Sequence, residues 1–211
     1  MRTLVIYPED KSTDFLKPIY ANLKNTTVVK GGVRKSELLE LIQAHDKVIM
    51  LGHGAPFGLM NPRQFPDAGL FIIDGSMVNS FKNKSSCIYI WCHADQFIKN
   101  YGLSGLCSGM FISEMGEAEL YGFNDIEQGL IDQSKETFST ILSKYINEPQ
   151  EIIYHSLLKE YKVIARFNPI ARFNFKRLHL LGEVADHNQN NGLNTEYSMG
   201  VHAGHNENGV C

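Results

Sequence analysis

The first half of the chain alternates between short apolar runs and segments in which apolar residues recur at helical spacing. Residues 4–7 and 27–29 are short apolar runs that end at proline or glycine, which is typical of buried strands. Apolar side chains recur at helical spacing over residues 15–23 and 38–45, and residues 47–51 are again a nearly continuous apolar run. This order of strand, helix, strand, helix, strand predicts a parallel sheet with helices on its faces.

The second half continues the pattern after a loop rich in glycine and proline at residues 52–69. The apolar runs predict four further strands, at residues 70–73, 87–91, 110–112 and 178–181. Helical spacing predicts a short helix at 76–82 and long helices at 126–145 and 149–165. Asn124 and Glu127 have the spacing of a capping box at the start of the first long helix.

Composition indicates one ordinary folded domain with a tail. The chain has 211 residues, of which 43% are hydrophobic and 20% are charged, so it can form a plain apolar core. We predict a domain at residues 1–185 and a flexible loop or tail at 186–211, where Asn, Gly and His dominate. The formal net charge of -3 lacks the basic excess of a nucleic-acid-binding protein, so no nucleic-acid partner is expected.

The apolar segments are too short for a membrane helix, which needs about 18 apolar residues, so no membrane partner is expected. The first apolar run ends before Glu9 and is too short for the core of a signal peptide. We therefore expect a cytoplasmic protein whose four cysteines are free thiols, because none form a C-x-x-C pair. No cofactor and no metal ion is expected.

Two of the predicted strands end in residues suited to acyl transfer. His53 follows the run 47–51 and Cys92 follows the run 87–91. Ligands of parallel sheets bind beyond the carboxyl ends of the strands, and adjacent strands lie about 4.8 Å apart. An imidazole and a thiol at neighbouring strand ends could therefore act on one substrate.

The surroundings of these two residues suit that chemistry. A helix expected to start near His93 would lower the pKa of the Cys92 thiol through its amino terminus. His53 would protonate the leaving amine, and the glycines on either side of it would let a substrate approach closely. The backbone amides of Gly54 and Cys92 are candidates for an oxyanion hole.

This arrangement resembles the caspase-like cysteine peptidases, which include caspases, legumains, gingipains and clostripain. The resemblance covers about residues 3–183 and rests on a strand ending in His53-Gly54, a strand ending in Cys92 39 residues later, and a Leu-Leu-Gly-Glu sequence at 180–183. It implies a three-layer α-β-α fold with a mostly parallel sheet of about six strands. It also implies an endopeptidase that hydrolyses peptide bonds through a thioester on Cys92, with His53 as its partner.

Specificity is expected to differ from that of caspases, because residues 90–94 read Ile-Trp-Cys-His-Ala in place of the caspase signature. In the family, the specificity pocket is lined near the catalytic strand and after the next strand. Carboxylates are frequent in the second region here. We therefore expect a protein or peptide substrate with Arg or Lys before the scissile bond, held by Glu114 or Glu117, with Asp95 as a further candidate.

Each of these residues also has a structural interpretation. A single histidine or cysteine at a strand end is usually structural, and a group of carboxylates is usually a solvated surface. Cys87 is interpreted as a core residue and Cys107 as a loop cysteine. His93 would lie at the surface or the pocket wall, and a zinc site of His53, Cys92, His93 and Cys107 matches no standard ligand spacing.

Two alternatives concern function. The same α/β fold could be a non-catalytic module that binds a small ligand or a signal near His53 and Cys92, although the chain has no phosphate-binding loop motif. A cytoplasmic peptidase could also be latent until an oligomer forms, an activating ligand binds or the chain cleaves itself.

Overall fold

A computed structural model describes residues 1–84 and 86–182. Its strands are β1 Thr3–Ile6, β2 Thr26–Val29, β3 Lys47–Leu51, β4 Gly54–Ala55, β5 Gly58–Met60, β6 Phe71–Ile73, β7 Ser86–Ile90, β8 Gly105–Ser108 and β9 Leu178–Leu181. Its α-helices are α1 Pro18–Ala21, α2 Lys35–Ala44, α3 Ala94–Tyr101, α4 Met115–Leu120, α5 Gln128–Tyr145, α6 Gln150–Ala165 and α7 Pro169–Phe175. Lys11–Leu16 and Gly75–Ser80 form 3₁₀-helices.

Six strands form the central sheet, in the order β2-β1-β3-β7-β8-β9. All neighbours are parallel except the last pair, in which β9 runs antiparallel to β8. The expectation of an α/β fold with a mostly parallel sheet of about six strands is confirmed. The predicted tail at 186–211 and the end of the predicted domain lie outside the described residues.

The central strands β1, β3 and β7 are buried on both faces because most of their residues are apolar. Every residue of β3 is buried, as is typical of a central parallel strand. Leu4, Met50 and Tyr89 point into one cluster with α2, α3 and the small second sheet. Val5, Ile49 and Ile88 point into a second cluster with α5, α6 and α7.

Helix ends follow the local sequence. Gly102 ends α3 with a positive φ of 61°, a conformation that glycine adopts without strain. Asn168 begins α7, since its side chain accepts a hydrogen bond of 3.0 Å from the Ala171 amide, and Pro169 occupies the first helical position. Helix α5 begins at Gln128, with Glu127 as its N-cap residue, so the predicted capping box from Asn124 is wrong.

Three predicted strand or helix assignments need correction. Residues 110–112 are a buried loop, whereas the glycine-rich segment that includes Cys107 is strand β8. Residues 71–73 form β6 in a separate antiparallel sheet with β4 and β5, not a strand of the central sheet. The helix expected at 76–82 is the 3₁₀-helix Gly75–Ser80.

The buried loop at 110–112 is stable without strand pairing because a side chain replaces the neighbouring strand. Asn174 is fully buried on α7, and its amide accepts from the Ile112 amide at 2.8 Å and donates to the Ile112 carbonyl at 2.9 Å. It also donates to the Ser134 hydroxyl on α5 at 3.1 Å. This side chain fixes the path of the segment between β8 and α4.

Replacing Asn174 with Ala should lower the free energy of unfolding by about 2–4 kcal/mol, because both polar groups of Ile112 would be left buried without a partner. Urea denaturation of the variant and its parent measures the difference. Asn124→Ala, at an exposed position, is the matched control and should change stability by less than about 0.5 kcal/mol. Equal stability of the Asn174 variant and its parent would contradict this account of the loop.

Lys47, the first residue of β3, is a buried cation with an exposed fraction of only 2%. Its ammonium group donates to the Ile146 carbonyl. Burial lowers the pKa of Lys47 to about 8. Since the unfolded chain binds this proton more tightly, the lysine should destabilise the fold at neutral pH and cease to do so as pH rises from about 8 to about 10.5.

Lys47→Met should therefore raise the free energy of unfolding at pH 7 by about 1–3 kcal/mol. The gain in the free energy of unfolding over the parent should shrink steadily between pH 8 and pH 10.5. Urea denaturation at several pH values measures this change. The exposed Lys82→Met serves as the control and should give a difference that stays flat with pH. A constant difference for Lys47→Met as well would show that the buried amine does not titrate in this range.

Candidate functional site

The register between β3 and β7 brings the two strand ends together. Leu51 lies opposite Ile90 in this parallel pair, so His53 and Cys92 each follow the last paired residue by two positions. Both side chains line one cleft at the carboxyl end of the sheet, and its volume of about 20 Å³ is room for one water-sized group. The residues that line it with them are Thr13, Phe15, Leu16, Gly52, Ile90, Trp91, Ser108, Phe111 and Ser113.

His53 is held by the loop that follows β1. The Ser12 hydroxyl lies 2.6 Å from His53 Nε2 and donates a 2.6 Å hydrogen bond to the Asp10 carboxylate. Because a hydroxyl carries one proton, Nε2 must donate to Ser12, which leaves Nδ1 as the nitrogen that can exchange a proton. The Ser12 hydroxyl and amide hold the pKa of Asp10 below its ordinary value, so this carboxylate is ionised. It lies 3.9 Å from His53 Nε2.

Cys92 lies in a sharp turn between β7 and α3. The next residue, His93, has a φ of 67°, which is rare for a residue with a side chain and marks local backbone strain. Helix α3 then begins at Ala94, and the His93 ring contacts Gln96 at 3.1 Å. His93 is not among the residues that line the cleft.

The thiol of Cys92 faces a carboxylate. Its sulfur lies 4.0 Å from Glu117 Oε1 and 3.6 Å from the Phe111 carbonyl oxygen. Burial raises the pKa of Cys92 to about 12, and the negative charge of Glu117 adds to this rise. The expected lowering of this pKa by α3 is therefore outweighed, and the thiol is protonated at neutral pH.

Glu117 is fixed in this position by the start of α4. Its Oε2 accepts hydrogen bonds from the Ser113 amide at 2.7 Å, the Ser113 hydroxyl at 3.1 Å and the Glu114 amide at 3.2 Å. The other oxygen, Oε1, is the one that faces the Cys92 sulfur. One carboxylate thus caps a helix and places a negative charge beside the thiol, although Glu117 is not itself among the residues that line the cleft.

The other predicted substrate residues differ in position. Glu114 is exposed beside Glu117, and its charge also acts to raise the pKa of Cys92. Asp95 is not brought into the cleft, because it lies on α3 and its carboxylate binds Lys99 at 2.9 Å. The sequence could not show this, since Asp95 and Lys99 pair only once the helix has formed.

The two candidate oxyanion amides lie in different settings. Within the described residues, the Cys92 amide donates to no acceptor, which leaves it available to a ligand. Gly54 belongs to β4, and a side chain at this position would lie 2.0 Å from the Trp91 ring. The indole therefore explains the need for glycine at this position, which the sequence analysis attributes to the close approach of a substrate.

The two other cysteines of the described residues, Cys87 and Cys107, are structural. Cys87 is buried in the first core cluster, as predicted. Cys107 is also fully buried there, on β8, so its assignment to a loop is wrong. Among residues 1–84 and 86–182, no three His, Cys, Asp or Glu side chains are grouped to hold a metal ion.

Ser12 and Asp10 are the site residues that the sequence analysis missed. They lie in the 3₁₀-helix and its N-cap, where Asp10 also accepts from the Ser12 amide at 2.9 Å. An Asp-x-Ser sequence after a strand is a common capping pattern, so only the folded register could show that it faces an imidazole.

Within the described part of the chain, no helix combines the length and the apolar character needed to cross a membrane. Comparison of the sequence with models of known protein families and with curated proteins found no match to either.

Proposed function

We propose that the protein is a cysteine endopeptidase with a caspase-like three-layer fold, in which Cys92 is the nucleophile and His53 is its acid-base partner. One observation carries the proposal: a thiol and an imidazole at the ends of adjacent parallel strands line the same cleft, and the imidazole is held through Nε2. Nucleophilic catalysis uses these three parts, which are a nucleophile, a base and a group that orients the base.

The reaction would proceed in two halves. His53 Nδ1 takes the proton of the Cys92 thiol, and the sulfur attacks the carbonyl carbon of the peptide bond. The amides of Cys92 and Gly54 stabilise the oxyanion. The carbon–nitrogen bond then breaks, the leaving nitrogen takes the proton from His53, and a thioester remains. Water attacks the thioester with His53 as base, releasing the carboxylic acid and restoring the thiol.

The position of Glu117 favours a substrate with a cationic side chain. Its Oε1 lies beside the nucleophile, and Glu114 adds negative charge close by. An Arg or Lys side chain bound there would be attracted to the carboxylates and would offset the negative charge that adds to the effect of burial on the pKa of the thiol. Binding of the preferred substrate would then also activate the nucleophile, so the free enzyme would be latent.

The protonated thiol also favours a second function. A cysteine with a pKa of about 12 is a poor nucleophile, as expected for a module that binds a ligand in this cleft without chemistry. Covalent labelling separates the two functions. An arginyl chloromethylketone should form an adduct on Cys92 in a peptidase, and mapping of the modified peptide identifies the residue. Binding without an adduct would favour the module.

Cys92→Ala should abolish hydrolysis of a peptide library, with a loss of at least about a thousandfold, because the thioester cannot form. Cleavage products are measured by mass spectrometry, and urea denaturation checks that the variant is folded. The matched control is His93→Gly, which removes the neighbouring imidazole and suits the left-handed backbone, and it should keep its activity. Undiminished cleavage by folded Cys92→Ala would overturn the proposed function.

Glu117→Gln should increase the rate at which iodoacetamide alkylates Cys92 at pH 8 by about three- to tenfold. Glutamine keeps an oxygen that can accept from the Ser113 amide but removes the negative charge, so the thiolate fraction rises. The rate is followed by intact mass and peptide mapping. Glu119→Gln, on the exposed side of the same helix, is the control and should react at the parental rate. A rate unchanged by Glu117→Gln would show that this carboxylate does not control the thiol.

A further inference from the structure

A second cleft is also lined by His53. It is lined by Pro8, Asp10, His53, Met60, Asn61 and Pro62 and has a volume of about 220 Å³. That volume is below the 300 Å³ or more of typical small-molecule pockets, so the cleft is suited to one side chain rather than a whole ligand. His53 is the one lining residue that it shares with the cleft of Cys92.

The position of His53 between the two clefts assigns a direction to the substrate. The nucleophilic sulfur must approach the carbonyl carbon, whereas the imidazole must reach the nitrogen of the same peptide bond. The chain before the scissile bond therefore lies towards Cys92. The residue after the bond, which leaves with the nitrogen, lies beyond His53 at the second cleft.

The walls of this cleft are held in place by hydrogen bonds. The Met60 amide donates to the His53 carbonyl at 2.9 Å, which ties this wall to the catalytic candidate. The Asn61 side chain donates to the Ala68 carbonyl at 2.8 Å and accepts from the Gln64 amide at 3.0 Å. Two prolines contribute the rest of the apolar surface, and their fixed φ angles limit movement of the backbone.

The chemistry of the lining favours an apolar side chain over an acidic one. Pro8, Met60 and Pro62 present apolar surface, and the polar groups of Asn61 are occupied by its own loop. Asp10 contributes a negative charge beside His53. An apolar side chain would gain from burial here, whereas an acidic side chain would be repelled by the Asp10 carboxylate.

We propose that this second cleft is the binding site for the residue that follows the scissile bond and that it takes an apolar side chain. The assignment rests on the proposed peptidase function. It adds a specificity determinant on the leaving-group side, with Met60 as the residue that contacts the substrate.

A peptide library of random sequence tests this assignment, because mass spectrometry of its products shows the residues on both sides of every cleaved bond. Leu, Met and other apolar residues should follow the cleaved bond at least about ten times more often than Asp and Glu. Met60→Lys should reverse this preference towards acidic residues by adding a positive charge to the cleft. Leu70→Lys, an exposed position outside the cleft, is the matched control and should keep the parental preference.

The outcomes separate the two proposals. Cleavage that depends on Cys92 but shows no preference after the bond, or a preference that Met60→Lys leaves unchanged, would overturn this assignment and leave the peptidase function standing. If Met60→Lys instead altered the preference for the residue before the bond, the assignment would also be overturned, because the cleft would then hold the other side of the substrate. Absence of any Cys92-dependent cleavage would overturn both proposals.

Discussion

The parallel pairing of β3 with β7 is the constraint on which the site depends. Both strands are buried on both faces, and their side chains alternate between two separate core clusters. A slip of one residue would move the apolar side chains of one strand to the wrong face and would separate Leu51 from Ile90. The packing energy of the core therefore fixes the relative positions of His53 and Cys92, although neither residue contributes to that core.

The sequence was informative where burial alone determines structure. Residues 4–6, 48–51 and 87–90 are continuous apolar runs, and a parallel sheet is their most direct explanation. The adjacency of β3 and β7 was not determined by the sequence, since the small sheet β4-β5-β6 lies between them in the chain. The apolar residues 110–112 wrongly predict a strand. They form a buried loop, because Asn174 from a distant helix supplies the hydrogen bonds that a neighbouring strand would make.

The electrostatics of the site could not be inferred from residue types. A cysteine before a helix is usually activated, and the helix after Cys92 is present. Burial is the main cause that keeps the thiol protonated, and a different segment adds to it, since the Glu117 carboxylate beside the thiol is held by the amides that begin α4. On the other side of the cleft, Asp10 acts on His53 through Ser12. Each half of the candidate pair thus has its own carboxylate, one that orients the imidazole and one that opposes ionisation of the thiol.

The contact between Gly54 and Trp91 joins the two strand ends directly. Trp91 is the single tryptophan of the chain, it is almost fully buried, and its indole nitrogen donates to the Ala55 carbonyl at 3.2 Å. It precedes Cys92, its ring lies close to the residue after His53, and it lines the same cleft as the candidate pair. The tryptophan fluorescence of the protein consequently originates at this site, and the chain carries its own optical reporter for events that alter the cleft.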